Sequence, residues 1–175
     1  MANTISSSAA LPIAHVLLRI LIGLNWLMAT GILILLVVSI ANESWFMSAL
    51  KITASPEPDR VLIGFRAIAV FGLAAIPLNY AVLKRLLAMV DTVRAGDPFV
   101  TVNAQRLQTI AWVLLVLNIL SIVIGAIAFW ISTNAYPVRM AGFSLSGWLA
   151  VLLTFVFARV FAEGALMRED LEGTV

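Results

Sequence analysis

Cysteine is absent from the chain, which excludes disulfides, thiol redox relays and thiolate metal sites. A single histidine, His15, is present, too few for a bis-histidine haem within one chain. Charge is scarce: Asp, Glu, Lys and Arg make up 11% of the residues and hydrophobic types 62%. Soluble domains sit near roughly one quarter and one half, so lipid is the expected solvent. The net charge of +2 is too small and too dispersed for direct nucleic-acid binding. No G-x-S-x-G, H-E-x-x-H, phosphate-binding glycine loop or pair of carboxylates suited to acid and base roles occurs. We therefore expect no catalytic residues, no metal site, no cofactor and a non-enzymatic role.

What the chain does contain is long apolar runs, and its few charges mark where they end. The intervals Arg19 to Glu43, Arg66 to Lys84, Arg106 to Arg139 and Arg139 to Arg159 hold no charged residue. A spanning helix needs about 20 mainly apolar residues. Three intervals qualify outright, and the second does once Val61 to Phe65 are added and Arg66 is tolerated near an end. Four helices are expected, at about 12–40, 60–94, 104–132 and 144–171, forming a single transmembrane domain over 1–175. Ser39 and Ala41 make a passable signal-cleavage site, but the run before them is longer than a signal peptide's, so it reads as a retained span. The Lys and Arg count sets the orientation. Arg19, Lys84, Arg85, Arg94, Arg106, Arg159 and Arg168 fall on one side, against Lys51, Arg60, Arg66 and Arg139 on the other. The expected fold is an all-α multi-pass membrane protein, a four-helix transmembrane bundle of antiparallel up-down topology with both termini cytoplasmic.

Local signals refine this outline. Residues 1–10 read as a disordered tail, with Pro12 in the first turn of the first helix. Trp45, Phe46, Met47 and Leu50 predict a short helix lying on the membrane surface. Asp59 is positioned to cap the second helix, which Pro77 should kink. Gly96 stops that helix and Asn103 is a plausible N-cap for the third. Trp130, Tyr136, Phe143 and Trp148 read as an outer aromatic belt. The spacing of Gly72, Ala75 and Asn79, mirrored by Asn118, Ser121 and Gly125, predicts close packing of the second and third helices. His15, one turn before Arg19, reads as interfacial packing.

Two groups of residues are candidates for function. The first is an intramembrane polar cluster of Asn25, Asn79, Asn118, Arg159 and Glu163, each roughly 5 to 12 Å below the cytoplasmic surface at the helical rise. Arg159 and Glu163 share a helix face and can pair. Because an unpaired charge in hydrocarbon is costly, both are expected to face the bundle interior or a wet cavity. The bland alternative is asparagines linking helices by hydrogen bonds, with a snorkelling ion pair. The second group is a cytoplasmic surface made by the Lys84–Arg106 loop and the chain's acidic end: Arg94, Asp97, Phe99, Asn103, Arg106, Arg168, Glu169 and Glu172.

In the segments AGDPFVTVNAQRLQTIAW and VFAEGALMREDLEGTV, the chain resembles a bacterial domain-of-unknown-function family of four-helix integral membrane proteins. The likeness runs over essentially the whole chain. Its specific residues are Gly96, Pro98, Phe99, Asn103, Arg106 and Leu107, then Gly164, Arg168, Glu169, Glu172, Gly173, Thr174 and Val175. Members often end in a similar basic-acidic tail and are frequently encoded beside a small Xre-type helix-turn-helix regulator. The resemblance implies location and fold, and offers a candidate partner, but it implies no reaction.

Three roles follow. The chain is expected to be a membrane-embedded regulator or anchor in the lipid bilayer that binds a soluble cytoplasmic partner, such as that regulator. A small transporter or channel using the polar cluster is the alternative, with a homo-oligomer left open. A membrane enzyme ranks third.

Overall fold

A computed structural model describes residues 6–132 and 143–172. Among them the chain is helical, with no strand. The elements are α1 (Ser6–Ala41), α2 (Glu43–Ala49), α3 (Pro58–Arg94), α4 (Thr101–Ile131) and α5 (Leu145–Glu172), with one 3₁₀ turn at Ile52–Ala54. Among the described residues α1, α3, α4 and α5 are each long and apolar enough to cross a membrane. Large apolar side chains stand open along all four, with Leu27 at 68% and Phe129 at 84% exposure. In water such a surface would drive association, whereas acyl chains cover it without cost.

The helix ends depart from the sequence expectation in instructive ways. α1 begins at Ser6, so Pro12 lies inside the helix and not in its first turn. The ring's fixed φ suits a helix, and its missing N–H removes one bond close to the start of α1. α3 begins at Pro58, with Pro occupying the first position and Asp59 within the first turn, an arrangement favoured by the unsatisfied N–H groups and partial positive charge there. Pro77 lies within α3, which continues through it to Arg94. Gly96 stops α3 as expected, with φ at +86°. The Gly96 N–H donates to the Val93 carbonyl and the Asp97 N–H to the Thr92 carbonyl. This is a Schellman ending, which needs the left-handed conformation that glycine adopts without strain.

The chain divides into two compact units. The first takes Met1–Asn25, Asn79–Leu115 and Ser146–Val175. Its buried apolar residues include Leu107, Ile110 and Ala111 of α4 with Ala158 and Ala165 of α5. Trp112 meets Phe155 edge-on with ring centroids 5.2 Å apart.

The second unit takes Trp26–Leu78 and Val116–Leu145. Phe46, Ile52, Val61 and Leu62 form its core, with Val38, Met47 and Phe65 packed against them. The α2 helix is therefore only partly a surface helix. Trp45 is exposed as expected, while Phe46 turns inward. Asn42 caps α2, its side chain accepting from the Trp45 N–H at 3.2 Å. Within this unit Arg60 pairs with Glu57 at 2.8 Å, donates to the Trp130 carbonyl and stands over the Trp130 ring. Trp130 of the expected aromatic belt is thus held by a cation-π contact, and Tyr136 lies outside the described residues.

Gly72 does not serve the α3–α4 packing that its spacing predicts. A side chain there would meet Ile32 of α1 at 3.6 Å. The close approach falls instead at Gly64, where an added Cβ would collide with the fully buried Ile131 of α4. Gly64→Ala should cost about 1–3 kcal/mol by overpacking, read as a lower unfolding temperature in detergent. Gly23→Ala and Gly31→Ala meet nothing within 4 Å and should be neutral or stabilising by about 0.5–1 kcal/mol through helix propensity.

Candidate functional site

The corner between α3 and α4 is built around Asn103. The expectation of an N-cap and an exposed docking residue is overturned: α4 starts at Thr101, and Asn103 is fully buried in its first turn. Its Nδ2 donates to Thr92 Oγ1 at 2.8 Å and to the Pro98 carbonyl at 2.9 Å. Its Oδ1 accepts from Arg106 Nη1 at 2.9 Å, and the same nitrogen donates to the Ala88 carbonyl at 3.1 Å. An N-cap side chain accepts from the helix's own first N–H groups. This one is engaged in tying α4 to α3. Arg106 is therefore part of the corner's internal network as well, through Nη1, and the buried Asn103 is not free to recruit a partner.

Asp97 and Phe99 attach the same corner to α5. Asp97 pairs with Arg168. Phe99 stacks at a tilt on Phe161 with centroids 5.2 Å apart, and lies where a side chain on Gly164 would meet it at 3.1 Å. Phe99 still keeps 45% exposure, so it is half tucked and half open. Arg94 is exposed. Glu169 and Glu172 lie on the α5 helix, of which only the backbone is described there, and 173–175 fall outside the described residues.

The residues of the expected polar cluster are drawn from both units. Asn25 is buried, and Asn79 and Asn118 are partly buried. Asn25, Asn79, Arg159 and Glu163 belong to the first unit and Asn118 to the second. Arg159 Nε does bond Glu163 Oε1 at 2.9 Å, fulfilling the pairing expected from their spacing. Their direction is the correction. The side chains are 78% and 58% exposed, so the pair faces away from the first unit's interior. Arg159 lines a groove of about 310 Å³ between α4 and α5, together with Thr101, Gln105, Gln108, Phe155 and Ala162 among others. The small side chains Ala104, Ala158 and Ala162 form its floor. A helix side with charge and amide groups, on a segment apolar enough to span a membrane, is chemically unlike the acyl-facing surface around it.

Two ion pairs escape sequence reasoning. His15 Nδ1 lies 3.0 Å from Asp91 Oδ1, joining α1 to α3 across a separation no local spacing reveals. Arg66 Nη2 lies 2.8 Å from Glu43 Oε2. Arg66 also donates to the carbonyl and hydroxyl of Ser39, so the charge expected near the end of the second span has named partners. The only signal for either pair is the presence of an opposite charge near the same expected boundary. Among the described residues no group of three His, Cys, Asp or Glu side chains could hold a metal ion.

Four spanning-length apolar helices and this distribution of charge define a multi-pass helical membrane protein. The chain belongs to the family described as "Protein of unknown function (DUF2975)", whose model matches residues 37–175. No curated protein and no solved structure matches it.

Removing the Asn103 side chain strands several buried partners, so Asn103→Ala should cost about 2–3 kcal/mol, measured by thermal unfolding in detergent. Arg94→Ala, on an exposed side chain, should leave the unfolding temperature unchanged.

Proposed function

We propose that this protein is a non-enzymatic regulator or anchor of the bacterial inner membrane. In this reading it is an antiparallel four-helix bundle with both termini cytoplasmic, and it holds a soluble cytoplasmic protein against the membrane. The observation that carries the reading is the outward-facing Arg159–Glu163 pair beside Gln105 and Gln108. Hydrocarbon solvates neither charge nor amide. That strip of α4 and α5 is stable against water or another protein, and unstable against acyl chains. The docking surface is accordingly redrawn. Asn103 and Arg106 support it from within, while Gln105, Gln108, Arg159, Glu163 and the open side of Phe99 present it.

The partner class follows from the resemblance to proteins encoded beside a small Xre-type helix-turn-helix regulator. A basic and acidic pair flanked by amides offers both signs of hydrogen bond to such a protein, and the Asp97–Arg168 link carries movement of α5 into the α3–α4 corner. The alternative is a small transporter or channel using the polar residues Asn25, Asn79, Asn118, Arg159 and Glu163, and the outward direction of Arg159 and Glu163 supports the docking reading over it.

The test uses the full chain in lipid nanodiscs and a small Xre-type helix-turn-helix regulator of the kind encoded beside members of the family it resembles. Binding is expected, weakened about tenfold or more by a combined Arg159→Gln and Glu163→Gln change, since loss of charge-assisted bonds is worth about 1.5–3 kcal/mol. Absence of binding, or binding indifferent to that change, would overturn the reading. A reporter fused after Val175 should appear in the cytoplasm, and its appearance outside would reverse the orientation.

A further inference from the structure

Within the second unit, α1, α2 and α3 border a crevice of about 440 Å³. Its walls are apolar, formed by Ile32, Leu35, Phe46, Phe65 and Ala69 among others. A volume of this size falls in the range of about 300–1,000 Å³ typical of sites for small organic ligands. Two polar residues interrupt the wall, Ser39 and Arg66. Ser39 is buried, and its hydroxyl is already spent on the Leu36 carbonyl at 2.7 Å.

Arg66 is only partly spent. A guanidinium has five N–H donors. The Nε donates to Ser39 Oγ, and Nη2 to the Ser39 carbonyl and to Glu43 Oε2. The Nη1 donors have no acceptor among the described residues, and the side chain is 28% exposed. Glu43 uses one carboxylate oxygen on Arg66 and keeps 47% exposure. Both residues lie near the end of the apolar span Ala10–Ala41, where hydrocarbon gives way to headgroups.

The crevice thus has an apolar wall and, in Arg66, a cation with donors to spare; Glu43 does not line the wall but is paired to Arg66 and keeps an acceptor to spare. An anionic ligand alone would meet repulsion from Glu43, and a cationic one repulsion from Arg66. The complementary molecule carries a hydrocarbon chain, a phosphate and a primary ammonium group in succession. We propose that this crevice binds a phospholipid with an ethanolamine headgroup. One acyl chain lies along Ile32, Leu35 and Ala69, the phosphate accepts from Arg66, and the ammonium donates to Glu43. A glycerol headgroup brings no cation to the second carboxylate oxygen of Glu43. A choline headgroup brings the charge but no N–H to donate.

The full chain, purified in mild detergent, is exposed in turn to ethanolamine, glycerol and choline phospholipids of identical acyl composition. Retained lipid is counted by native mass spectrometry. The ethanolamine lipid should be retained about tenfold over the other two, the worth of one charge-assisted hydrogen bond. Glu43→Gln should erase the preference for ethanolamine over glycerol, and Arg66→Gln should lower retention of all three. Ala69→Phe fills the crevice while leaving both charges intact, and should abolish ethanolamine-lipid retention with helix content unchanged. Equal retention of the three lipids, preference for glycerol or choline, or full retention by Ala69→Phe would each overturn the proposal. Should Arg66→Gln fail to fold, Glu43→Gln and Ala69→Phe decide the matter.

Discussion

Hydrocarbon offers no hydrogen bonds, and every polar group on a spanning helix must find a partner within the protein or be held at a boundary. The chain meets this constraint at several levels. Hydroxyls within the helices bond back to their own backbone: Thr30 to the Trp26 carbonyl at 3.0 Å, Thr109 to Gln105 at 2.9 Å and Thr154 to Ala150 at 2.6 Å. Each removes a donor from the acyl phase without needing a second helix. Polar and charged residues also take partners from other elements, as His15 does from Asp91 and Arg66 from Glu43.

Against that background the two ends of the polar inventory behave differently. At the α3–α4 corner, Asn103 and Arg106 have their bonding capacity turned inward on Thr92, Pro98 and Ala88. Such a network fixes one arrangement of the corner, since any shift leaves buried groups unsatisfied. On α5, Arg159 and Glu163 pair with one another, and among the described residues neither has a second partner. A pair so exposed adds little to stability. Under the proposed function its place on a spanning helix serves recognition, and Asp97–Arg168 and Phe99–Phe161 link that helix to the corner.

Much of the helical layout is legible in the amino-acid sequence because charge-free runs are direct evidence of what lipid tolerates. Gly96 is legible for a similarly local reason: a glycine after a long helix has one common use, and its φ of +86° realises it. The facing of Arg159 is not legible. Spacing puts Arg159 and Glu163 on one side of a helix, but which side looks inward is normally read from an apolar stripe. Here α5 is apolar nearly all round within the span, so no stripe exists to orient it. Asn103 misleads because a buried tether and an N-cap use the same residue type at the same end of a helix. The His15–Asp91 and Arg66–Glu43 pairs depend on contacts between segments remote in sequence, which periodicity cannot supply.

The central claim is that the groove beside Arg159 opens to water even though α4 and α5 are membrane-spanning helices. The natural lack of cysteine allows this to be measured with single introduced thiols. The full chain is reconstituted in sealed lipid vesicles bearing Gln108→Cys, on the groove, or Leu152→Cys, on the exposed apolar side of α5. A water-soluble maleimide should alkylate Gln108→Cys and leave Leu152→Cys untouched. Equal resistance of the two thiols would mean that acyl chains cover the groove, and would contradict the account.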